Sequence, residues 1–359
     1  MNFNLILTKT ADDKFTMAIT TYPWLLALPK VELHIHLEGS LEPELMLSLA
    51  RKNGIQLPFN TIGQLYEAYR FSCLQDFLNI YYQATQVLIT QQDFYDLTWH
   101  YIKKCQQHNI IHIEPFFDPQ AHTQRGIAFS TVIKGIATAL TEANKHFGIS
   151  SKLIMCFLRH LNESDALKTL KQAEPFLDLI TAVGLDSSEK NHPPEKFTQV
   201  FSKAKSLGLL TVAHAGEEGS TTHIWSAINA LSVSRIDHGI KAIEDPKLIR
   251  YLVDTQLPLT ICPLSNVKLA IVPDMSRHCI LDLLEKGVCV TVNSDDPAYF
   301  GGYLTDNFYA LSQSLHLTQI QTHKLLVNSI HASFAENHRK QAMLAQLTHS
   351  LNANKHDLL

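Results

Sequence analysis

The chain is 359 residues long, 45% apolar and 18% charged, with a formal net charge of −4. That is ordinary globular composition, with ample length for one large core. With no long basic run, the slight negative balance removes the electrostatic support for non-specific nucleic-acid binding.

Residues 1–16 are polar and mixed and read as an extension, with Met17 as an alternative start, because the organised pattern begins near Trp24. The expected division is an N-terminal extension over 1–23, one domain over 24–347 and a tail over 348–359. Strand-length apolar runs follow at 31–37, 110–117, 153–158, 179–185, 209–213, 235–240, 257–262 and 288–292. Between them lie stretches with helical spacing at 93–108, 129–147, 195–207, 224–231 and 279–286, and residues 304–346 also read as helices. Eight strands alternating with helices predict an α/β fold with a parallel sheet, and eight is the number that closes a (β/α)8 TIM barrel. Residues 42–108 exceed one crossover and are expected to form a helical insertion within the domain.

Dense polar clusters sit at the C-terminal ends of these runs: His34 and His36, residues 186–189, residues 214–218, His238, and Asp295 with Asp296. In a barrel those ends converge on one mouth, where active sites lie. His34 and His36 alternate on a strand, so both rings can face the same side; taken alone, a His-x-His pair is more often a surface or packing pair than a ligand pair. His214 ends an apolar strand and is followed by Glu217 and Glu218, which suits a metal ligand beside a catalytic acid or a solvated acidic loop. Adjacent carboxylates at the end of a buried strand, Asp295 and Asp296, are costly unless paired or bound to a cation; a helix N-cap is the competing reading. Taken together, His34, His36, His214 and Asp295 form a donor set that suits one divalent zinc, with iron, manganese or cobalt as substitutes.

The six cysteines contain no C-x-x-C pair and read as reduced thiols of a cytoplasmic protein. No apolar run reaches the length of a membrane span, and the N-terminus lacks the pattern of a signal peptide.

Four ordered segments, Pro29 to Leu41 (PKVELHIHLEGSL), His214 to Glu218 (HAGEE), Arg235 to Gly239 (RIDHG) and Ser294 to Pro297 (SDDP), resemble the adenosine and adenine deaminase family. The resemblance covers about residues 24–345. Within the family, the stretch Gly184 to Phe197 (GLDSSEKNHPPEKF) looks closest to the adenine deaminase branch, as do residues 116–120, 156–160 and 295–302. The resemblance implies a TIM barrel with one zinc and hydrolytic deamination of adenine to hypoxanthine and ammonia, a purine-salvage reaction. It implies that Glu217, protonated, faces N1 of the purine and that His238 takes the proton of the attacking water. It also implies that Asp296 bonds N7 and that the backbone N–H of Gly184 reaches N3. Ser188 and Glu189 then fall near the N3/N9 edge, with Glu189 as acceptor for N9–H; capping of the helix near Glu195 is the alternative for both. The expected partners are a small purine base and water, with no nucleic acid or membrane, and the oligomeric state is left open. Deamination of N6-substituted adenines shares the same metal and catalytic set. Adenosine deamination and a metal-binding protein without turnover are the further alternatives.

Overall fold

Strands of a parallel sheet are buried on both faces, which is why they read as continuous apolar runs in the sequence. The computed structural model describes residues 23–354 and places strands at β1 (Lys30–His36), β2 (Ile110–Phe117), β3 (Ser150–Ser151), β4 (Ile154–Leu158), β5 (Ala182–Asp186), β6 (Leu210–Ala215), β7 (Arg235–His238), β8 (Leu259–Ile261) and β9 (Val290–Val292). Every pairing is parallel, in the order β1-β2-β4-β5-β6-β7-β8-β9, with the two-residue β3 on β2. A last bridge, Ile35 with Asp295, brings the two ends together: His36 N–H donates to Asp295 O at 3.0 Å, and Asp295 N–H donates to His34 O at 3.1 Å. The result is an eight-stranded (β/α)8 barrel.

Where element bounds depart from the expected ones, local chemistry explains the shift. Residues Glu174–Leu179 form a 3-10 turn with Pro175 as its second residue, so the strand expected over 179–185 starts at Ala182. The strand expected over 235–240 ends at His238, because His238 and Gly239 both take left-handed backbone conformations, with φ of 60° and 75°. Residues 304–346 divide into helices Leu304–Leu315, Gln319–Ala332 and Asn337–Asn354. The first break is made by His316 in the left-handed region and by a capping box from Thr318 to Gln321.

The insertion between β1 and β2 consists of helices Pro43–Asn53, Ile62–Ala68, Leu74–Ala84 and Gln91–Gln107. The extension expected over 1–23 lies outside the described residues except for Pro23. The tail expected over 348–359 is described only to 354, where it continues the final helix.

Below the mouth the barrel interior is filled in layers. Phe116, Ile154, Cys156, Ala182 and Val212 form one buried apolar cluster. Arg235 lies fully buried with Glu114: its Nη1 donates to the carboxylate at 2.6 Å, its Nη2 donates to Leu33 O at 3.0 Å, and its guanidinium sits 4.6 Å from the Phe334 ring centroid. A buried pair needs these additional bonds to offset its desolvation. This plug leaves the mouth as the end where a small molecule can meet the polar strand ends.

Candidate active site

β1 is bulged against β2: Glu32 pairs with Ile113 and Ile35 with Pro115, three residues against two. Beyond the bulge His34 and His36 project together, and both rings pack on Phe116, at 4.9 and 5.0 Å between centroids. His214 arrives from the end of β6 and Asp295 from just beyond β9. His36 Nε2 lies 3.2 Å from His214 Nε2, and His34 Nε2 and His36 Nε2 lie 3.2 and 3.5 Å from Asp295 Oδ1. The four donor atoms fall within 4.8 Å of one another.

Two imidazole nitrogens at such a separation face each other across a point that suits a cation. The outer nitrogens support this. His34 Nδ1 bonds Thr260 Oγ1 at 2.9 Å, whose hydroxyl donates to Asp237 Oδ1 at 3.0 Å. His214 Nδ1 lies 3.7 Å from Asp237 Oδ2, and His36 Nδ1 lies 3.7 Å from Asp186 Oδ2. Each ring can thus place its proton on Nδ1 and present a bare Nε2, the usual arrangement behind metal-ligating histidines. Burial lowers the pKa of His34 to about 4 and that of His214 well below its ordinary value, so both are neutral donors. Burial alone would raise Asp295, but His238, His34 and His36 beside it outweigh that and hold its carboxyl well below the usual range. The donor set fits one divalent metal. A second grouping, His34, His238, Cys262 and Asp295, shares two of these residues. It is the poorer fit, because burial pushes the Cys262 thiol up, keeping it protonated, and its S–H donates to Thr260 O at 3.6 Å.

Glu217 and His238 flank this set. His238 Nε2 lies 3.6 Å from Glu217 Oε2 and 3.9 Å from Asp295 Oδ2. Burial lowers His238 to about 4, leaving a neutral ring able to accept a proton at neutral pH. Burial, then the charges of Asp295 and Glu189, push Glu217 well above the ordinary carboxylate value, so it stands as a proton donor. Burial and the neighbouring Asp295 do the same to Asp296. Glu217 Oε1 and Asp296 Oδ1 are buried without hydrogen-bond partners. A neutral base and a protonated acid side by side are two titratable groups whose environments push them to opposite roles. His238 and Asp295 hold φ of 60° and 64°, and Ser187 at the end of β5 holds 70°. Such backbone costs roughly 1–2 kcal/mol per non-glycine residue, and here it occurs at three strand ends that meet at the mouth.

These groups line a cavity whose apolar wall includes Leu74, Phe77 and Leu78 from the insertion and Phe300. His36, His214, Glu217, His238, Asp295 and Asp296 all face it. Three of the expected substrate contacts lie elsewhere. Gly184 is in the middle of β5, in register with Cys156, one layer below the mouth. A Cβ there would come within 2.5 Å of Cys156 Sγ, so the glycine serves close packing inside the barrel. Ser188 Oγ donates to Glu218 Oε2 at 3.0 Å. Glu189 is fully buried and accepts from the backbone N–H of Gly216 (3.0 Å), Glu217 (2.8 Å) and Gly219 (3.3 Å), and pairs with His223 Nδ1 at 2.9 Å. Its acceptor capacity is spent on the turn that carries Glu217, which leaves none for a purine N9–H. Burial opposes its ionisation, but His223, Arg159 and those N–H groups hold its pKa down to about 2.

The residues of β5 that do reach the cavity are Asp186 and Ser187, joined by Asp118 after β2. The sequence marks Asp186 only as part of the polar cluster at 186–189 and assigns no role to Asp118, Asp237 or Thr260. Their signal was charged or hydroxyl side chains in or just beyond apolar strand runs, where burial without a partner is costly.

A family model described as adenosine deaminase matches residues 29–350. An adenine deaminase of Stutzerimonas stutzeri is 59% identical over 314 residues, which is 88% of this chain and 99% of that one. An adenine deaminase of Pseudomonas fluorescens is 59% identical over 311 residues, covering 87% and 98%. The crystal structure of an adenine deaminase from Arthrobacter aurescens superposes with a TM-score of 0.89 at 45% identity, over 90% of this chain and 99% of that one.

Proposed function

Because this chain belongs to the adenosine deaminase family, we propose that it is an adenine deaminase that holds one zinc ion on His34, His36, His214 and Asp295 and converts adenine and water to hypoxanthine and ammonia. The observation that carries the chemistry is the pairing of a neutral His238 with a protonated Glu217 across one cavity from a four-donor metal set. The substrate is carried by the relatives that bear the name adenine deaminase at 59% identity over most of both chains.

A bound divalent ion lowers the pKa of a water ligand from about 15.7 toward about 7, making it a nucleophile at neutral pH. The protein's own groups supply the rest. With C6 of the base turned toward the donor set, Glu217 gives its proton to N1 and draws electron density from C6. His238 takes a proton from the attacking water. Asp296, protonated, donates to N7. The new C6–O bond yields a tetrahedral carbon that bears both hydroxyl and amine. As the C6–N6 bond breaks, the amine takes the proton held by His238 and leaves as ammonia, and the hydroxyl proton returns to Glu217. Both side chains end in their starting states. The apolar wall of Leu74, Phe77, Leu78 and Phe300 covers the base and excludes bulk water, which strengthens these charge interactions.

An ammonia-release panel on metal-analysed protein tests this reading, with adenine, adenosine, AMP, N6-methyladenine, N6-isopentenyladenine and guanine as substrates. Adenine is expected to have the highest kcat/KM; faster turnover of adenosine or of an N6-substituted base refutes the substrate assignment.

A further inference from the structure

Resting on the reading of Glu217 as the acid, we propose that Glu189 is a positioning residue of the reaction, which aims the Glu217 carboxyl by clasping the backbone of the turn that carries it. The acid has little of its own to hold it. Glu217 Oε1 is buried without a hydrogen-bond partner, and Oε2 stands 3.6 Å from His238 Nε2. Its direction must therefore come from the main chain. Residues 216–219 belong to no helix or strand, so no regular ladder fixes that main chain, and its buried N–H groups need other acceptors.

Glu189 supplies them. Its Oε1 accepts from Glu217 N–H at 2.8 Å and Gly219 N–H at 3.3 Å, and its Oε2 accepts from Gly216 N–H at 3.0 Å. One carboxylate thus spans the turn on both sides of the acid. Bonds to an ionised acceptor are about twice as strong as neutral ones, and Glu189 is ionised while the acid it holds is protonated. The carboxylate is itself held, because His223 Nδ1 donates to Oε2 at 2.9 Å. A Cβ at Gly219 would come within 2.5 Å of Glu189 Oε2 and 2.3 Å of His223 Nδ1, so the clasp closes only over a glycine. Flanking residues tie the same two segments again: Ser188 Oγ donates to Glu218 Oε2 at 3.0 Å, and Arg159 donates to His192 O at 2.8 Å and His214 O at 2.6 Å. Gly216 O also accepts from Lys241 N–H at 3.1 Å, which fixes only the start of the turn. A carboxyl that must give its proton to one ring nitrogen tolerates little drift, since a misplacement of about 1 Å can cost about 100-fold in rate. Binding of the base rests on Asp296 and the apolar wall as well, so KM feels such drift less than kcat.

The test measures ammonia release from adenine, metal content and Tm for Glu189→Ala and Glu189→Gln, each made in the wild-type chain and in Glu217→Gln, at a temperature where the variants are folded. In the wild-type chain Glu189→Ala is expected to lower kcat by about 10- to 100-fold per folded, metal-loaded chain, with a smaller change in KM and the metal retained. Glu189→Gln keeps an amide oxygen for the N–H groups of Glu217 and Gly219, and its NH2 can donate to His223 in the other tautomer, so it recovers part of that kcat. In the Glu217→Gln background the losses should largely disappear, because the proton that Glu189 helps to aim is gone; the double-mutant cycle reads this coupling directly. If the alanine variant does not fold, the glutamine arm of the cycle decides. Equal fold losses in both backgrounds would make Glu189 a structural residue and overturn the proposal. So would a rise in KM with kcat unchanged, loss of the metal, or wild-type kcat once only folded chains are counted. Equal losses in Glu189→Gln and Glu189→Ala overturn it as well, since the charge rather than the clasp would then be at work. If wild type releases no ammonia from adenine, or Glu217→Gln keeps wild-type kcat, the functional reading falls and this one with it; if Glu217→Gln is slow and the losses add, only this assignment fails.

Discussion

Replacing Glu217 with glutamine separates proton donation from everything else the site does. Glu217 is buried, its Oε1 has no partner, and its Oε2 lies 3.6 Å from His238 Nε2. Burial, then the charges of Asp295 and Glu189, hold it protonated. Glutamine has the same shape and can still turn an N–H toward N1, but it cannot release a proton. Adenine should therefore bind and KM should stay close to wild type, while kcat falls, the pattern of an interaction made only in the transition state. A positioned general acid contributes about 10²- to 10⁴-fold, equivalent to about 2.7–5.4 kcal/mol at 1.36 kcal/mol per decade. The neutral amide also removes a group that Asp295 disfavours as an anion, so metal content and thermal stability should hold. The assay is ammonia release under saturating adenine, with metal measured on the same sample and Tm by scanning calorimetry. A fully metallated Glu217→Gln protein with near wild-type kcat would refute Glu217 as the acid.

The pH profile of kcat/KM follows from the two opposed shifts. Activity is lost as pH falls toward about 4, where His238 protonates, and is lost again on the alkaline side as Glu217, whose pKa is raised, ionises; a profile with no alkaline decline counts against the protonated acid. Glu189→Ala leaves the N–H groups of Gly216, Glu217 and Gly219 and the His223 ring without their acceptor, so unfolding free energy should drop by about 3 kcal/mol or more at roughly 1–3 kcal/mol per unpaired group; an unchanged denaturation midpoint would contradict this. Because the folded-state pKa of Glu189 is depressed to about 2, its contribution is present above pH 4.5 and lost as pH falls through that interval. A Cβ at Gly39 would meet Asp296 Oδ1 at 2.0 Å and its Cα at 2.8 Å, so Gly39→Ala should displace Asp296 and raise KM for adenine while the metal stays; wild-type KM would show that Asp296 has room to move. Asp237→Asn weakens the support shared by His34, through Thr260, and His214, and metal affinity measured by chelator competition should fall about 10- to 100-fold.

Much of the scaffold was legible because its signals are local. The runs at 31–37, 110–117 and 288–292 each became a strand within two residues of expectation at either end, since a buried parallel strand must be apolar on both faces. The helix at 129–147 appears with those bounds, closed by Gly148 in the left-handed conformation. Bounds moved where backbone conformation intervened, as at His238 and Gly239. The proposed metal and acid–base residues lie at or just beyond strand ends, and parallel strands in a barrel bring all such ends to one mouth, while the roles of Glu217 and His238 came with the family resemblance.

The substrate wall was less legible, for a geometric reason. Gly184, Asp186 and Glu189 lie within six positions of one another, yet the first packs below the mouth, the second faces the cavity, and the third turns under the Gly216–Gly219 loop. Sequence by itself determined the residue types available and the fold that gathers them: strand periodicity, the histidines at strand ends and the paired carboxylates. Tertiary structure decided which carboxylates have spent their acceptor capacity on the protein and which line the cavity. That division depends on partners such as the N–H of Glu217, Tyr81 and Thr260, which lie on other segments of the chain. A hydrogen bond between distant segments leaves no periodicity in sequence, whereas burial on a strand does.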